Sequence, residues 1–143
     1  MIVLDAYALI ALVGDEPPAA EVARLLDEDD CAMTAVNFAE VVDIACRVNR
    51  LALDELRDVL GKLTMSGRLR LVDLDEESAW RAGEFRLEYY AKKSSELSLA
   101  DCFLLASAGA GDAIATADPP LAHAARAEGI SIVPLPDASG RRP

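Results

Sequence analysis

The feature that most constrains the fold is an alternation of short apolar runs with longer stretches of helical period. Residues 2–4 (IVL), 31–33 (CAM), 68–74 (RLRLVDL), 112–116 (DAIAT) and 130–133 (ISIV) are each too short for a helix and read as strands. Between the first two lie AYALIALV, ended by Gly14, and a segment entered at Pro17 or Pro18 that runs to about Leu26. DEDD at 27–30 reads as a solvated turn. Asn37 is expected to cap a helix over 38 to about 48. A further helix over 54–65 is closed by Ser66-Gly67. Residues 75–93 carry acids first and lysines last, the order that a helix dipole favours. Ser98 caps the next helix, and PPLAHAARAE, closed by Gly129, forms the last. Strands alternating with helices in this way imply an α/β fold, a parallel, about five-stranded sheet with helices on both faces. No internal repeat or linker divides the chain. One domain over residues 1–135 is expected, followed by a flexible C-terminal tail, 136–143 (PDASGRRP).

Charge narrows the function. With 14 Lys and Arg against 25 Asp and Glu the net charge is −11, which argues against a simple basic nucleic-acid binder. It suits a metal-using site or a basic protein partner. Cys31, Cys46 and Cys102 form no C-x-x-C pair, and with no basic, signal-like N-terminus a reduced, cytoplasmic protein without a membrane segment is expected. The single histidine, His123, makes no zinc site by itself and reads as a polar-face residue of the last helix.

Four acids stand out. Asp5 directly follows the first strand, Glu40 sits three residues after Asn37, Asp101 three after Ser98, and Asp118 just past the fourth strand. Each has an ordinary reading: Asn-x-x-Glu and Ser-x-x-Asp are capping-box patterns, and an acid in a first helical turn is favoured by the dipole. Together they admit another. In an open parallel sheet, ligands bind beyond the carboxyl ends of the strands. If the first and fourth strands are neighbours, Asp5 and Asp118 converge, and the helices of Glu40 and Asp101 begin on the same edge. Crowded carboxylates repel unless a divalent cation sits among them, and hard oxygen donors select magnesium or manganese. Asp101 is the sharpest case, a lone charge within the apolar stretch LSLADCFLLA.

IVLDAYALIA, NFAEVVD, LSLADCFLLASA and ATADPPLAHAARAEGI, in this order and spacing, resemble the PIN-domain nucleases, specifically the VapC toxin subunits of VapBC toxin–antitoxin modules. The resemblance spans residues 1 to about 135. It implies a PIN-like fold with the first strand central. It implies Asp5, Glu40, Asp101 and Asp118 as catalytic acids, with Asp5, Asp101 and Asp118 holding Mg2+ or Mn2+, and hydrolysis of RNA that inhibits translation and growth. Thr116 matches a position where the family often has a hydroxyl or amide supporting the site. Asn37 plays a similar supporting part or simply caps. Many relatives carry a small hydroxyl residue where this chain has Tyr7, which is expected to pack or to line the mouth of the cleft.

An acidic nuclease needs cations to meet RNA. Arg47, Arg50, Arg81, Arg86, Lys92 and Lys93 are the candidates, each equally readable as part of a solvated helix face. The resemblance further implies a cognate VapB-like antitoxin whose basic tail lies over the cleft, and a homodimer that joins the antitoxin in a hetero-oligomer. VVDIACRV and the helix after it offer an apolar surface, readable equally as core. Two rival readings remain. One is a PIN-like module that binds RNA or protein without catalysis. The other is a haloacid-dehalogenase-like phosphohydrolase, which needs an acid where Tyr7 stands. Glycine-rich phosphate loops of either common pattern are absent from the sequence.

Overall fold

A computed structural model describes residues 1–90 and 97–143. The strands are β1 (Ile2–Leu4), β2 (Cys31–Thr34), β3 (Leu69–Val72), β4 (Ala113–Thr116) and β5 (Ser131–Pro134). They form one sheet in the order β3-β2-β1-β4-β5, parallel throughout. Between them run α1 (Ala6–Val13), α2 (Ala19–Glu28), α3 (Ala35–Asp43), a π-helical turn (Ile44–Val48), α4 (Leu53–Met65), α5 (Glu76–Tyr90), α6 (Leu99–Ser107) and α7 (Pro119–Ala127). The fold is thus the α/β, five-stranded parallel architecture expected from the alternation.

Successive strand residues point to opposite faces, and here both faces are covered. Leu4, Met33 and Ala115 enter one core with Leu9, Leu25, Val41, Leu56 and Leu60 from α1 to α4. Val3 and Ile114 enter the other with Phe85, Leu97, Leu104, Leu105 and Leu121 from the α5–α7 side. This double burial is why the central strands read as unbroken apolar runs.

The sheet order places the topological switch between β1 and β4, since the chain moves outward through β2 and β3 and then returns to the other side of β1. In register, Leu4 lies beside Ala115, so both strands end at the same edge. Residues 136–143 turn back on themselves. Asp137 Oδ1 accepts from the backbone N–H of Ser139 (2.8 Å) and of Arg141 (3.0 Å), while Arg142 pairs with Glu21 of α2 at 2.9 Å and donates to the Pro134 carbonyl.

One expectation is corrected. Asn37 does not cap the third helix. Thr34, the last residue of β2, does so, its hydroxyl accepting from the Asn37 N–H at 3.1 Å. The chain enters α3 straight from the strand, so the helix starts three residues early and Asn37 lies inside its first turn. The end of the 75–93 segment, with Lys92 and Lys93, lies outside the described residues.

Candidate active site

Asp5 stands at the N-cap position of α1, but its carboxylate makes no cap bond. It turns instead toward β4, where the Thr116 hydroxyl donates to its Oδ2 at 2.8 Å. The same hydroxyl accepts from the Asp118 N–H at 3.0 Å. One buried threonine therefore links the acids at the ends of the two strands across the switch point.

Asp101 and Asp118 do what their local patterns suggest. Asp101 Oδ2 accepts from the Ser98 N–H (2.7 Å) while the Ser98 hydroxyl accepts from the Asp101 N–H (3.1 Å), a complete capping box. Asp118 Oδ2 accepts from the Leu121 N–H at 3.0 Å. Each cap occupies one of two carboxylate oxygens, so capping fixes these side chains at the sheet edge without exhausting them. Glu40 differs from expectation. With Thr34 as the cap, it sits in the second turn of α3 rather than at a helix start, and it belongs to no capping box. It approaches the others because α3 packs against α6.

Electrostatics joins the four. Asp5 is only 7% exposed, and its pKa is raised to about 7, first by burial, then by the charge of Asp101 and less by that of Glu40, with the Thr116 bond opposing. Glu40 is raised by burial and then by Asp101. Asp118 is raised by burial, against the Leu121 N–H bond and with a smaller push from Asp101. Asp101 itself is raised by burial, opposed by its Ser98 bonds and by the positive charge of Arg86. Asp101 is thus the hub, felt by each of the other three. Among the described residues, no group of three or more His, Cys, Asp or Glu side chains is gathered so as to hold a metal ion by itself. The donor chemistry at this edge is carboxylate oxygen, which suits a hard cation that keeps several waters and takes few protein ligands.

Asn37 is fully buried. Its Oδ1 accepts from the Thr34 hydroxyl at 2.5 Å, while its Nδ2 has no hydrogen-bond partner among the described residues. Thr34 is the residue that sequence reasoning missed; its signal was the Thr-x-x-Asn spacing directly after the strand. Tyr7 packs away from the acids. Burial pushes its hydroxyl up to about 12, and its charged neighbours are Glu16 and Asp137.

The candidate cations are dispersed. Arg47 forms a two-pronged pair with Asp43 on its own helix (2.8 and 2.7 Å), and Arg50 is exposed in a left-handed backbone position. Arg81 donates to the Ala106 carbonyl at 3.1 Å, joining α5 to α6. Arg86 donates to the Leu97 carbonyl beside the Asp101 capping box. The apolar surface expected around 41–48 is partly present. Val48 and Leu53 are about half exposed, and two shallow grooves of about 300 and 250 Å3 flank α4, one lined by Leu12, Val13 and Val59, the other by Phe38, Val42 and Leu60.

The PIN domain family model matches residues 2–127. The chain belongs to the PIN domain family. This PIN domain has no match among curated proteins. Among solved structures it is similar to DNA-bound VapBC from Salmonella typhimurium, with TM-score 0.65 and 22% identity over 92% of this chain and 95% of that one. It is similar to VapBC-1 from nontypeable Haemophilus influenzae, with TM-score 0.65 and 19% identity over 92% and 96%. It is also similar to a toxin–antitoxin complex from Klebsiella pneumoniae, with TM-score 0.59 and 20% identity over 82% and 87%. At these identities the likeness concerns the fold.

Because Thr116 serves two acids at once, its hydroxyl is testable. Thr116→Val leaves an Asp5 oxygen and the Asp118 N–H without their bond, a loss of about 1–3 kcal/mol in unfolding free energy. Thr116→Ser should recover most of it in a urea titration.

Proposed function

We propose that this PIN domain is a Mg2+- or Mn2+-dependent endoribonuclease, the toxin of a toxin–antitoxin pair. The observation that carries the reading is the pairing of β1 with β4, which ends both strands at one edge, where Thr116 bonds to both Asp5 and Asp118 and both feel the charge of Asp101. Four buried or half-buried carboxylates, each raised first by burial and three of them further by the charge of Asp101, are a standing electrostatic cost in a binding module. A cation relieves that cost. Asp5, Asp101 and Asp118 would hold it, and its chemistry would be to acidify a water and neutralise the phosphate under attack. Thr116 fixes the orientation of Asp5, and the Ser98 box fixes Asp101. Glu40, with its raised pKa, is the group we assign to accept a proton from the attacking water. Asn37 offers an unpartnered amide one helical turn before Glu40, suited to orient a water or an acid oxygen.

The partner reading follows from charge and surface. A net charge of −11 and a group of acids at one sheet edge favour a basic antitoxin tail. The grooves beside α4 offer apolar area for a second copy or for the antitoxin. The toxin reading is supported by similarity to VapBC and toxin–antitoxin structures. Among the described residues no helix is long and apolar enough to cross a membrane.

The test is cleavage of total cellular RNA by purified protein in manganese, magnesium or EDTA, with Asp101→Asn alongside and the new ends mapped by sequencing. Discrete ends that need metal and vanish in the variant are the expected result. A folded, metal-binding sample that cleaves nothing would move the protein to a non-catalytic binding role.

A further inference from the structure

Arg86 reaches the chain at Leu97, the residue directly before the Ser98–Asp101 capping box. Arg86 is half-buried on α5 and held on two sides. One guanidinium nitrogen donates to the Leu97 carbonyl, next to the Ser98–Asp101 capping box. The guanidinium also lies over the Tyr90 ring, 3.9 Å from its centroid. Arg86 and Tyr90 are four residues apart, one turn along α5, so the stack is built into a single helix face.

The stack is unusual in what it leaves open. Tyr90 is 57% exposed, in a chain where only 5% of residues are aromatic. A tyrosine that served packing would be covered, as its neighbour Tyr89 is at 5%. A guanidinium has five N–H donors in a fixed fork, and the bond to Leu97 uses one nitrogen. A positive fork beside the acid hub, backed by an exposed ring, matches the chemistry of one nucleotide of a single strand. The phosphate meets the guanidinium and the base stacks on the aromatic face.

We infer that the Arg86–Tyr90 stack is a nucleotide subsite that seats one unpaired base of an RNA strand next to the Asp101 end of the acid cluster. This rests on the RNA reading above and adds to it a residue, Tyr90, and a demand on the substrate: an unstacked base beside the bond to be cut. Arg86 here is more than a diffuse attraction. Its tether to Leu97 holds it in place, so less freedom is lost when phosphate arrives.

The experiment measures binding separately from cleavage. Fluorescence anisotropy follows a short labelled oligoadenylate, and the same sugar–phosphate chain without bases, in manganese. The background is Asp5→Asn, so that the strand stays intact. Tyr90→Ala should weaken the oligoadenylate roughly 5- to 150-fold, the range for loss of one base–aromatic stack, and leave the base-free chain within about twofold. Tyr90→Phe should restore the affinity, since the ring does the stacking. Arg86→Gln should weaken both chains alike. The inference is overturned if Tyr90→Ala binds the oligoadenylate as well as its parent does, if it weakens both chains equally, or if the parent binds neither chain. Thermal melts of the variants guard against misfolding, and the retained ring in Tyr90→Phe supplies the control if Tyr90→Ala melts low. Failure of the nuclease reading is seen elsewhere, as an intact oligonucleotide after incubation with the wild-type protein in manganese.

Discussion

Asp5→Asn should lose RNA cleavage by about a thousandfold or more and, in the same tube, melt higher than wild type in metal-free buffer at pH 7. The two effects share one cause. Asp5 contributes a charge at the centre of the proposed site, and a cation's help with transition-state charge is worth several kcal/mol, with each 1.36 kcal/mol a factor of ten in rate. The same charge is unwelcome without metal. The native carboxyl keeps its proton up to about pH 7, whereas the unfolded one releases it near 3.8. Between those values the native state binds more protons, so stability falls as pH rises and the full penalty is present above pH 7. The penalty is on the order of 4 kcal/mol at most, and relieving it is worth up to about 13 °C in melting temperature. The wild type should therefore melt progressively lower from about pH 4 to 7 in EDTA, with a shallower slope in Asp5→Asn. A variant that melts below wild type at pH 7 and keeps the wild-type slope would refute the electrostatic account.

Manganese should reverse the penalty. At a hundredfold excess over its dissociation constant, a ligand that binds only the native state adds about 2.7 kcal/mol. For a chain of this length that is close to a 10 °C rise in melting temperature. Asp101→Asn should abolish most of the rise, because Asp101 is the acid to which each of the other three responds. Differential scanning fluorimetry at pH 7.5, with and without manganese, decides it. An equal rise in both proteins would place the metal elsewhere.

How far the chain reveals itself depends on range. Strand and helix order was legible because double burial writes itself as unbroken apolar runs, visible at Ile2–Leu4 and Ala113–Thr116. The local part of the site was legible too, in the Ser98–Asp101 box and the Asp118 cap. The start of α3 was not. Thr34 and Asn37 are both good capping residues three apart, and only the entry into α3 directly from the end of β2 selects the first. That choice changes Glu40 from a helix-start acid into one held by α3–α6 packing. The pairing of β1 with β4 is a tertiary fact, and residues 2–4 and 113–116 carry no local mark of each other. The arginines illustrate the same limit. Nothing near Arg81 or Arg86 in sequence names Ala106 or Leu97, because those contacts exist only once α5 lies on α6.

The sheet order also sets a clock. β1 is synthesised first and ends in the centre of the sheet, yet its neighbour on the Thr116 side is among the last elements made. Asp118 and the threonine that orients Asp5 emerge from the ribosome only after most of the chain has been translated. A nascent chain stalled before residue 113 carries Asp5, Glu40 and Asp101 but has neither the strand nor the hydroxyl that brings them into register. Chains cut short before residue 113 should therefore lack the metal-dependent RNA cleavage proposed for the full sequence.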